Sequence, residues 1–469
     1  MLLSVTTEGR DATNGNSPAT DYTERLKLML LIYVPKITNR IGYTLKVLFR
    51  IVLRVDFEIT TDLAFFQQHD GPKLSYGPER IGDSVWVKAT ELLTQTTVLE
   101  HDLHIFKEGN TAAFYPSYGR DLDFSFDMIA ASFFMLSRYE EYLPHRSDMH
   151  GRFTSETSIA LQHDFLQTAV VERWAIMLAN KIKERYPEWN LPLRGFDMVN
   201  TIDIDAAYCY KHKGLLRTLM GFGRDFFTRK NSDEVALRRK VLMHKADDLF
   251  DTFDYILDLK MKHRSIPMVF FVLLGDYSQY DKSISYHVEE FRQLLKHLGD
   301  YARLGMHASY DSFEEPQRID IEKARLEQIV NRTIVRNRSH FLRIQLPQTY
   351  RMLLRAGIEH DYSMGYAEQP GFRAGISTPY PFFNLNSDSE MLLTIHPFLV
   401  MDATLKRYQQ MGPDEAWPVV KGLMDEVDRV HGTFSCIWHN ENLSEMFGWE
   451  GWRTVYEQML DYGEMLKTK

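Results

Sequence analysis

Apolar positions four residues apart mark the clearest helix. Leu166, Val170, Trp174, Leu178 and Ile182 recur between Phe165 and Tyr186, and Pro187 ends the pattern. The following "PEWNLPLRG" supplies loop signals and places a boundary near Gly195. Beyond it the pattern alternates. "DMVNTIDID" and the apolar run "IPMVFFVLLGDY" predict strands, the second covered on both faces. Val288, Phe291, Leu295 and Leu298 predict a helix stopped by Gly299. "YARLGMHASYDS" predicts a short strand, and Ala324, Leu326, Ile329 and Val330 a helix. "HFLRIQL" predicts a strand, and "PQTYRMLLRAGI" a short helix between Pro347 and Gly357. Val420, Leu423, Met424, Val427 and Val430 predict a late helix ended by Gly432, before the strand "TFSCIWHN". Repeated strand–helix alternation predicts an α/β fold with a parallel sheet or barrel and helices outside.

The start of the chain reads differently. Residues 1–20 are polar, with Gly, Asn and Ser and no cationic stretch before an apolar one, so they read as a disordered lead-in and not a signal peptide. Ile41, Leu45, Leu48, Ile51 and Val52 fall at helical spacing. Charges interrupt that segment too often for a transmembrane span, so a core-packed helix with a basic outer side is expected over peripheral membrane contact.

With 469 residues and 44% apolar content, two domains are expected, over 21–195 and 196–469. A net charge of −9 argues against nucleic acid as a partner. Two cysteines, Cys209 and Cys436, suit a reduced cytoplasmic setting.

The polar residues at strand ends carry the candidate chemistry. Asp203, Asp205, His307, Asp311 and His439 all sit at or just beyond the C-terminal ends of predicted strands, the rim where α/β folds build sites. Asp203 and Asp205, two apart, share one face of a strand. Carboxylates that close repel unless a cation or a proton lies between them, which points to a metal. His307 and Asp311, four apart in "HASYD", share a side if a helical turn begins there. Such a set suits a divalent ion that activates water. Each residue taken alone also has a structural reading, as a cap, a turn or a loop-holding histidine.

These motifs resemble the polysaccharide deacetylases, the NodB-homology domain of carbohydrate esterase family 4. "TIDID" resembles the first motif and "HASYD" the second. "RSHFLRIQLPQTYRMLLRAGIEHDYSMGYAEQPGFRAG", "LLTIHPFLVMDATL" and "GTFSCIWHNEN" resemble later segments of a divergent branch. The upstream "SRYEEYLPHRSDMHGRF" resembles the uncharacterised domain preceding such deacetylases in Bacteroidetes-type proteins. The resemblance implies a distorted (β/α)7 barrel over 196–469, preceded by a smaller α/β or α+β domain. It implies a divalent cation, zinc foremost, with cobalt, nickel, manganese or magnesium as alternatives. It implies removal of an acetyl group from a carbohydrate. Asp203 then matches the general base, and Asp205, His307 and Asp311 the metal ligands. His439 matches the general acid. Arg343 is the expected partner of the base, with Arg373 its rival. Tyr310, Arg373 and Tyr366 are the expected substrate contacts. Ile204 separates acids that the family places side by side, and His340 is an alternative third ligand. Hydrolysis of another small amide is a second enzymatic reading. A non-catalytic carbohydrate-binding or scaffold protein is the rival class. Tyr362, Tyr366, Tyr380, Phe382 and Phe383 suit either sugar stacking or an ordinary core.

Overall fold

The computed structural model describes residues 29–192, 194–213 and 232–469. The lead-in expected over 1–20 lies outside them. Strands β1 (Leu30–Tyr33), β2 (Phe57–Thr60), β3 (Lys73–Gly77) and β4 (Val85–Lys88) form a parallel sheet in the order β2-β1-β3-β4. The chain between β1 and β2 is the helix Asn39–Leu45, continued by wider π turns over Lys46–Val52. Its Ile41, Leu45, Leu48 and Val52 are buried while Arg50 is exposed, the core-packed arrangement. Among the described residues no helix is long and apolar enough to cross a membrane. A short antiparallel pair follows, β5 (Phe106–Glu108) and β6 (Thr111–Ala113).

The second sheet has nine strands. These are β7 (Asp197–Ile204), β8 (Met268–Leu273), β9 (Arg303–Ala308), β10 (Arg336–Ser339), β11 (His360–Asp361), β12 (Tyr380–Asn384), β13 (Ser389–Ile395), β14 (Val400–Met401) and β15 (Thr433–His439). Their order is β12-β13-β11-β10-β9-β8-β7-β15-β14, and only the β12–β13 pair is antiparallel. The fold is therefore mixed α/β with parallel sheets. The ladder is open, running from β12 to β14 among the described residues. The sheet nevertheless curves, since adjacent residues before β14 reach both ends: Phe398 N–H donates to the Met364 carbonyl beyond β11 (3.1 Å) and Leu399 N–H to the Ser435 carbonyl in β15 (2.9 Å).

Strand β7 shows why the sheet is buried on both faces. Val199 packs with Val269, Phe271 and Tyr362 in a small inner cluster. On the outer face Asn200 donates to the hydroxyl of Tyr456 (2.6 Å), in the helix Trp452–Lys467. Residues two apart share a face, so Thr201, Asp203 and Asp205 continue the inner face upward to the C-terminal rim.

Two expectations change. The helix Glu289–Tyr301 runs through Gly299 and ends at Ala302. "HFLRIQL" is not a strand. The strand lies upstream, at the polar "RNRS", and His340–Leu342 is a 3-10 turn. Asn337, Arg338 and Ser339 are buried there because partners meet them: Asn337 donates to Asp361 (2.9 Å), and the Ser339 N–H to Ser363 Oγ (2.8 Å). A search for apolar runs passes over a strand whose inward side chains are polar.

The helix Val170–Arg185 binds the early segments to the large sheet. Glu172, fully buried, accepts from the Ser377 N–H (2.7 Å), Ser377 Oγ (2.9 Å) and the Thr378 N–H (2.9 Å). Arg173 pairs with Glu426 (2.6 Å). Arg138 and Arg373 both hold Glu141 (2.7 Å each), and Arg138 also donates to the Arg373 carbonyl. Burial alone would raise the Glu141 carboxyl, but the two guanidiniums override it and hold it below the usual range. Removing one partner of such a pair leaves a buried charge and costs about 3–5 kcal/mol. Glu141→Ala leaves the buried Arg373 guanidinium without its carboxylate and should therefore lower the unfolding free energy, read from the urea midpoint and slope, by about 3–5 kcal/mol. An unchanged midpoint would show that the network contributes nothing to stability.

Candidate metal centre

Asp205, His307 and His340 each direct one ligand atom into a common space, all within 4.8 Å of one another. His307 Nε2 lies 3.2 Å from Asp205 Oδ1, and His340 Nε2 lies 3.4 Å from Asp205 Oδ2. Both rings are held from behind. His307 Nδ1 donates to the carbonyl of Arg338 (2.8 Å) and His340 Nδ1 to Asp281 Oδ1 (2.7 Å). With Nδ1 carrying the proton, each neutral ring presents a lone pair at Nε2. Those lone pairs face a carboxylate that also carries only lone pairs. Either a proton or a cation must lie between them. Asp203 Oδ1 and Asp205 Oδ1 are buried without a hydrogen-bond partner, so both remain open as acceptors toward a cation. Two neutral imidazoles and a carboxylate, with the rings oriented by a carbonyl and a carboxylate, fit a zinc-like divalent ion.

Charges here follow from burial and pairing. Burial alone would raise the Asp205 carboxyl, but His340, His307 and His439 hold it well below the usual range. Burial alone would lower His340, but Asp205 and Asp281 push it up to about 10.

Asp203 is the next inward acid, 2% exposed. Its Oδ2 lies 3.5 Å from Arg338 Nη1 and 3.7 Å from His307 Nε2. Arg338 is fully buried, lies over the Phe271 ring (4.8 Å) and donates to Thr201 Oγ1 (2.8 Å). His439, beside Asp203 in the β15–β7 register, has Nδ1 2.8 Å from Asp402 Oδ1, so its Nε2 is left toward Asp205 Oδ2 at 3.9 Å. Asp402 is itself fixed by the N–H of His439 and by Asn442 (2.9 Å each). Burial alone would lower His439, but Asp402 foremost, then Asp205 and Asp203, push it up to about 10. A cavity of about 220 Å³ opens over these groups, lined also by the apolar Leu342, Ala367, Met401 and Ala403 and by Phe341, Arg152, Arg407 and Tyr408.

Thus Asp203, Asp205, His307 and His439 come together. Asp311 does not join the ligand group; His340 does. His307 still lies in the extended β9, and the chain turns only at Ser309, so the helical i, i+4 relation does not apply. Arg343 does not reach Asp203 either. It donates to the carbonyls of His150 (2.7 Å) and Tyr310 (3.0 Å), between the Tyr310 and Phe313 rings, and Arg338 takes the place beside the acid. Arg373 and Tyr366 are buried in the Glu141 network, away from the cavity lining. Tyr310 stacks on Tyr280 (4.2 Å) outside that lining. Tyr362, Tyr380, Phe382 and Phe383 are core residues. Asp402 and Asp281 were not anticipated. "LVMD" ends an apolar strand in an acid, the same signal as "TIDID", and would have marked Asp402. Asp281 lies in a loop and has no such signal.

Residues 30–187 match a family model described as "Family of unknown function (DUF7033)". No curated protein matches the chain. Among solved structures, the chain is similar to a candidate polysaccharide deacetylase from Mycobacterium smegmatis (14% identity, 58% of this chain and 84% of that one, TM-score 0.39). It is also similar to the polysaccharide deacetylase Bc1974 from Bacillus cereus (10% identity, 57% and 87%, TM-score 0.29). A third is a mutant of a CE4 family pseudoenzyme with restored enzymatic activity (13% identity, 57% and 63%, TM-score 0.25).

Asp205→Ala, His307→Ala and His340→Ala should each abolish retention of zinc after dialysis, measured by elemental analysis. Asp311→Ala should keep it. Asp281→Asn should weaken zinc affinity about 10–100-fold through the His340 ring. Retention by His340→Ala together with loss by Asp311→Ala would reverse the ligand assignment.

Proposed function

We propose that the chain is a metal-dependent hydrolase that removes an acetyl group from a carbohydrate or a related amide. The observation that carries this is the pair of oriented imidazole lone pairs converging on Asp205, with a second, carboxylate-held histidine across the same cavity. Asp205, His307 and His340 would hold the ion, zinc foremost. When bound, the ion supplies Lewis acidity toward the acetyl carbonyl and a water with lowered pKa.

The chain's own residues do the rest. Asp203 accepts the proton of the attacking water at Oδ1, the oxygen without a protein partner. Arg338, 3.5 Å from Oδ2, fixes which oxygen faces the cavity. His439 donates a proton from Nε2 to the departing nitrogen or oxygen, while Asp402 holds Nδ1 and stabilises the imidazolium. The apolar residues of the cavity lining suit an acetyl methyl and limit bulk water.

On this reading residues 196–469 are the catalytic unit, an incompletely closed relative of the (β/α)7 barrel from a divergent deacetylase branch. Residues 21–195 are a second unit. The reading includes a carbohydrate substrate and a cytoplasmic setting. Acetate release from a panel of acetylated sugars and glycans, by zinc-loaded protein, tests it. Zinc binding without acetate release would favour a non-catalytic carbohydrate-binding protein.

His439→Ala should cut turnover about 10²–10⁴-fold with zinc content unchanged. The pH dependence has a definite sign. His439 must be protonated to act, and its raised pKa keeps it so below the folded value, so activity falls as pH rises through that value. Asp402 is the strongest upward influence on His439. Asp402→Asn should move the alkaline limb to lower pH, and an unmoved limb would remove His439 as the acid.

A further inference from the structure

The cavity wall includes Arg152, from a part of the chain far in sequence from the rest of the lining. Residues 147–153 form a tight hairpin, closed by an antiparallel bridge between Ser147 and Phe153. Asp148 organises its turn. Its Oδ1 accepts from the N–H groups of His150 (2.8 Å) and Arg152 (2.9 Å), and its Oδ2 pairs with the Arg152 guanidinium at 2.7 Å. Gly151 has φ +75°, the left-handed backbone that this turn requires.

The hairpin is pinned on both sides of the cavity. Arg152 Nη1 donates to the Phe341 carbonyl (3.0 Å), just beyond β10, and Nη2 reaches the Tyr408 hydroxyl (3.5 Å), beyond β14. In the sheet β10 and β14 are separated by β9, β8, β7 and β15. One guanidinium therefore spans loops from opposite sides of the curved sheet. His150 adds a second attachment: its carbonyl accepts from Arg343 Nε (2.7 Å), and its Nδ1 lies 3.1 Å from the Tyr310 hydroxyl.

Charge settles what this crossing does. Arg152 is neutralised by Asp148, and all three of its nitrogens are engaged within the chain, so it does not present a free cation to an anionic ligand. It is a wall. The cavity behind it, about 220 Å³, is smaller than the roughly 300–1,000 Å³ that drug-sized ligands occupy.

Building on the hydrolase reading, we propose that the 147–153 hairpin is a size filter. It admits an acyl group on a small molecule or on the end of a saccharide chain, and excludes an acyl group in the interior of a polymer. A chain threading through the site would have to pass where Arg152 joins Phe341 to Tyr408.

The test uses the full chain loaded with cobalt, whose visible spectrum reports ligand binding at the metal without any turnover. Two probes are compared: free acetohydroxamate, and the same hydroxamate attached mid-chain to dextran. Wild type should bind the mid-chain probe at least about 100-fold more weakly than the free one, a gap of two factors of ten in affinity. Arg152→Ala and, separately, Tyr408→Ala open one wall each and should narrow that gap to under about tenfold. Circular dichroism and retained binding of the free probe identify the folded variants. Equal binding of both probes by wild type would overturn the filter while leaving the metal site standing. A gap unchanged in folded Tyr408→Ala and Arg152→Ala would also overturn it. Failure to take up cobalt would remove the hydrolase reading itself, and the filter with it.

Discussion

Asp203 and Asp205 bring two carboxyl groups to the inner face of a strand whose outer face is sealed by core. Everything around them answers those acids. Arg338 lies beside Asp203 from β10, and His307 and His340 close on Asp205 from β9 and from the turn after β10. Like charges this near cannot both ionise in a low-dielectric site without a cation. Among the described residues Arg338 pairs with Asp203, while the partners of Asp205 within 4 Å are all histidines. The imidazoles complete the balance only by taking up protons or by sharing an ion with Asp205. Their Nδ1 atoms are already committed to fixed acceptors, so the choice between proton and metal is confined to Nε2. That confinement is what turns a strand end into a binding site.

The same logic of buried charge joins the early residues to the large sheet. Glu141 lies between Arg138 and Arg373, and Glu172 receives the backbone of Ser377 and Thr378. None of these groups touches the cavity, yet they fix the segment after β11 and the approach to the hairpin that carries Arg152 into its wall. One apolar core is continuous from Leu30 to Leu466. An Arg–Glu pair in such a core is weak evidence for net stability, since desolvation offsets most of its attraction. Its consequence is geometrical, because an unpaired alternative arrangement would strand a charge.

Much of this was legible along the chain. The alternation after Gly195 marked β7, β8, β9 and β15, whose apolar runs are buried on both faces. The acids and histidines at their ends marked the rim. The differences between sequence and structure have separate causes. β10 is a strand made of Arg, Asn, Arg and Ser, and its burial depends on partners from other elements, which no local pattern reports. Without a local signal for β10, Arg338 is hidden in the sequence and Arg343 stands out instead. The four-residue spacing of His307 and Asp311 fits a helical turn, whereas His307 still belongs to a strand. The aromatic group from Tyr362 to Phe383 is core, since stacking residues and core residues have the same composition.

The backbone after His340 shows how firmly the site is held. Phe341 and Leu342 both adopt positive φ, 59° and 56°, a conformation that costs non-glycine residues about 1–3 kcal/mol each. Such strain persists only where surrounding contacts determine the path. Here they are identifiable. The Phe341 carbonyl accepts from Arg152, the Phe341 ring lies 5.1 Å from His150, and Leu342 enters the small apolar group with Phe398, Met401 and Ile437. Immediately upstream, Asp281 fixes the His340 ring. A relaxed, extended path would continue β10 and carry the chain past the rim. The left-handed pair instead turns it sharply at the residue that faces Asp205. The contacts that hold this turn come partly from the 147–153 hairpin, so the early part of the chain helps to set the geometry of a ligand it does not itself supply.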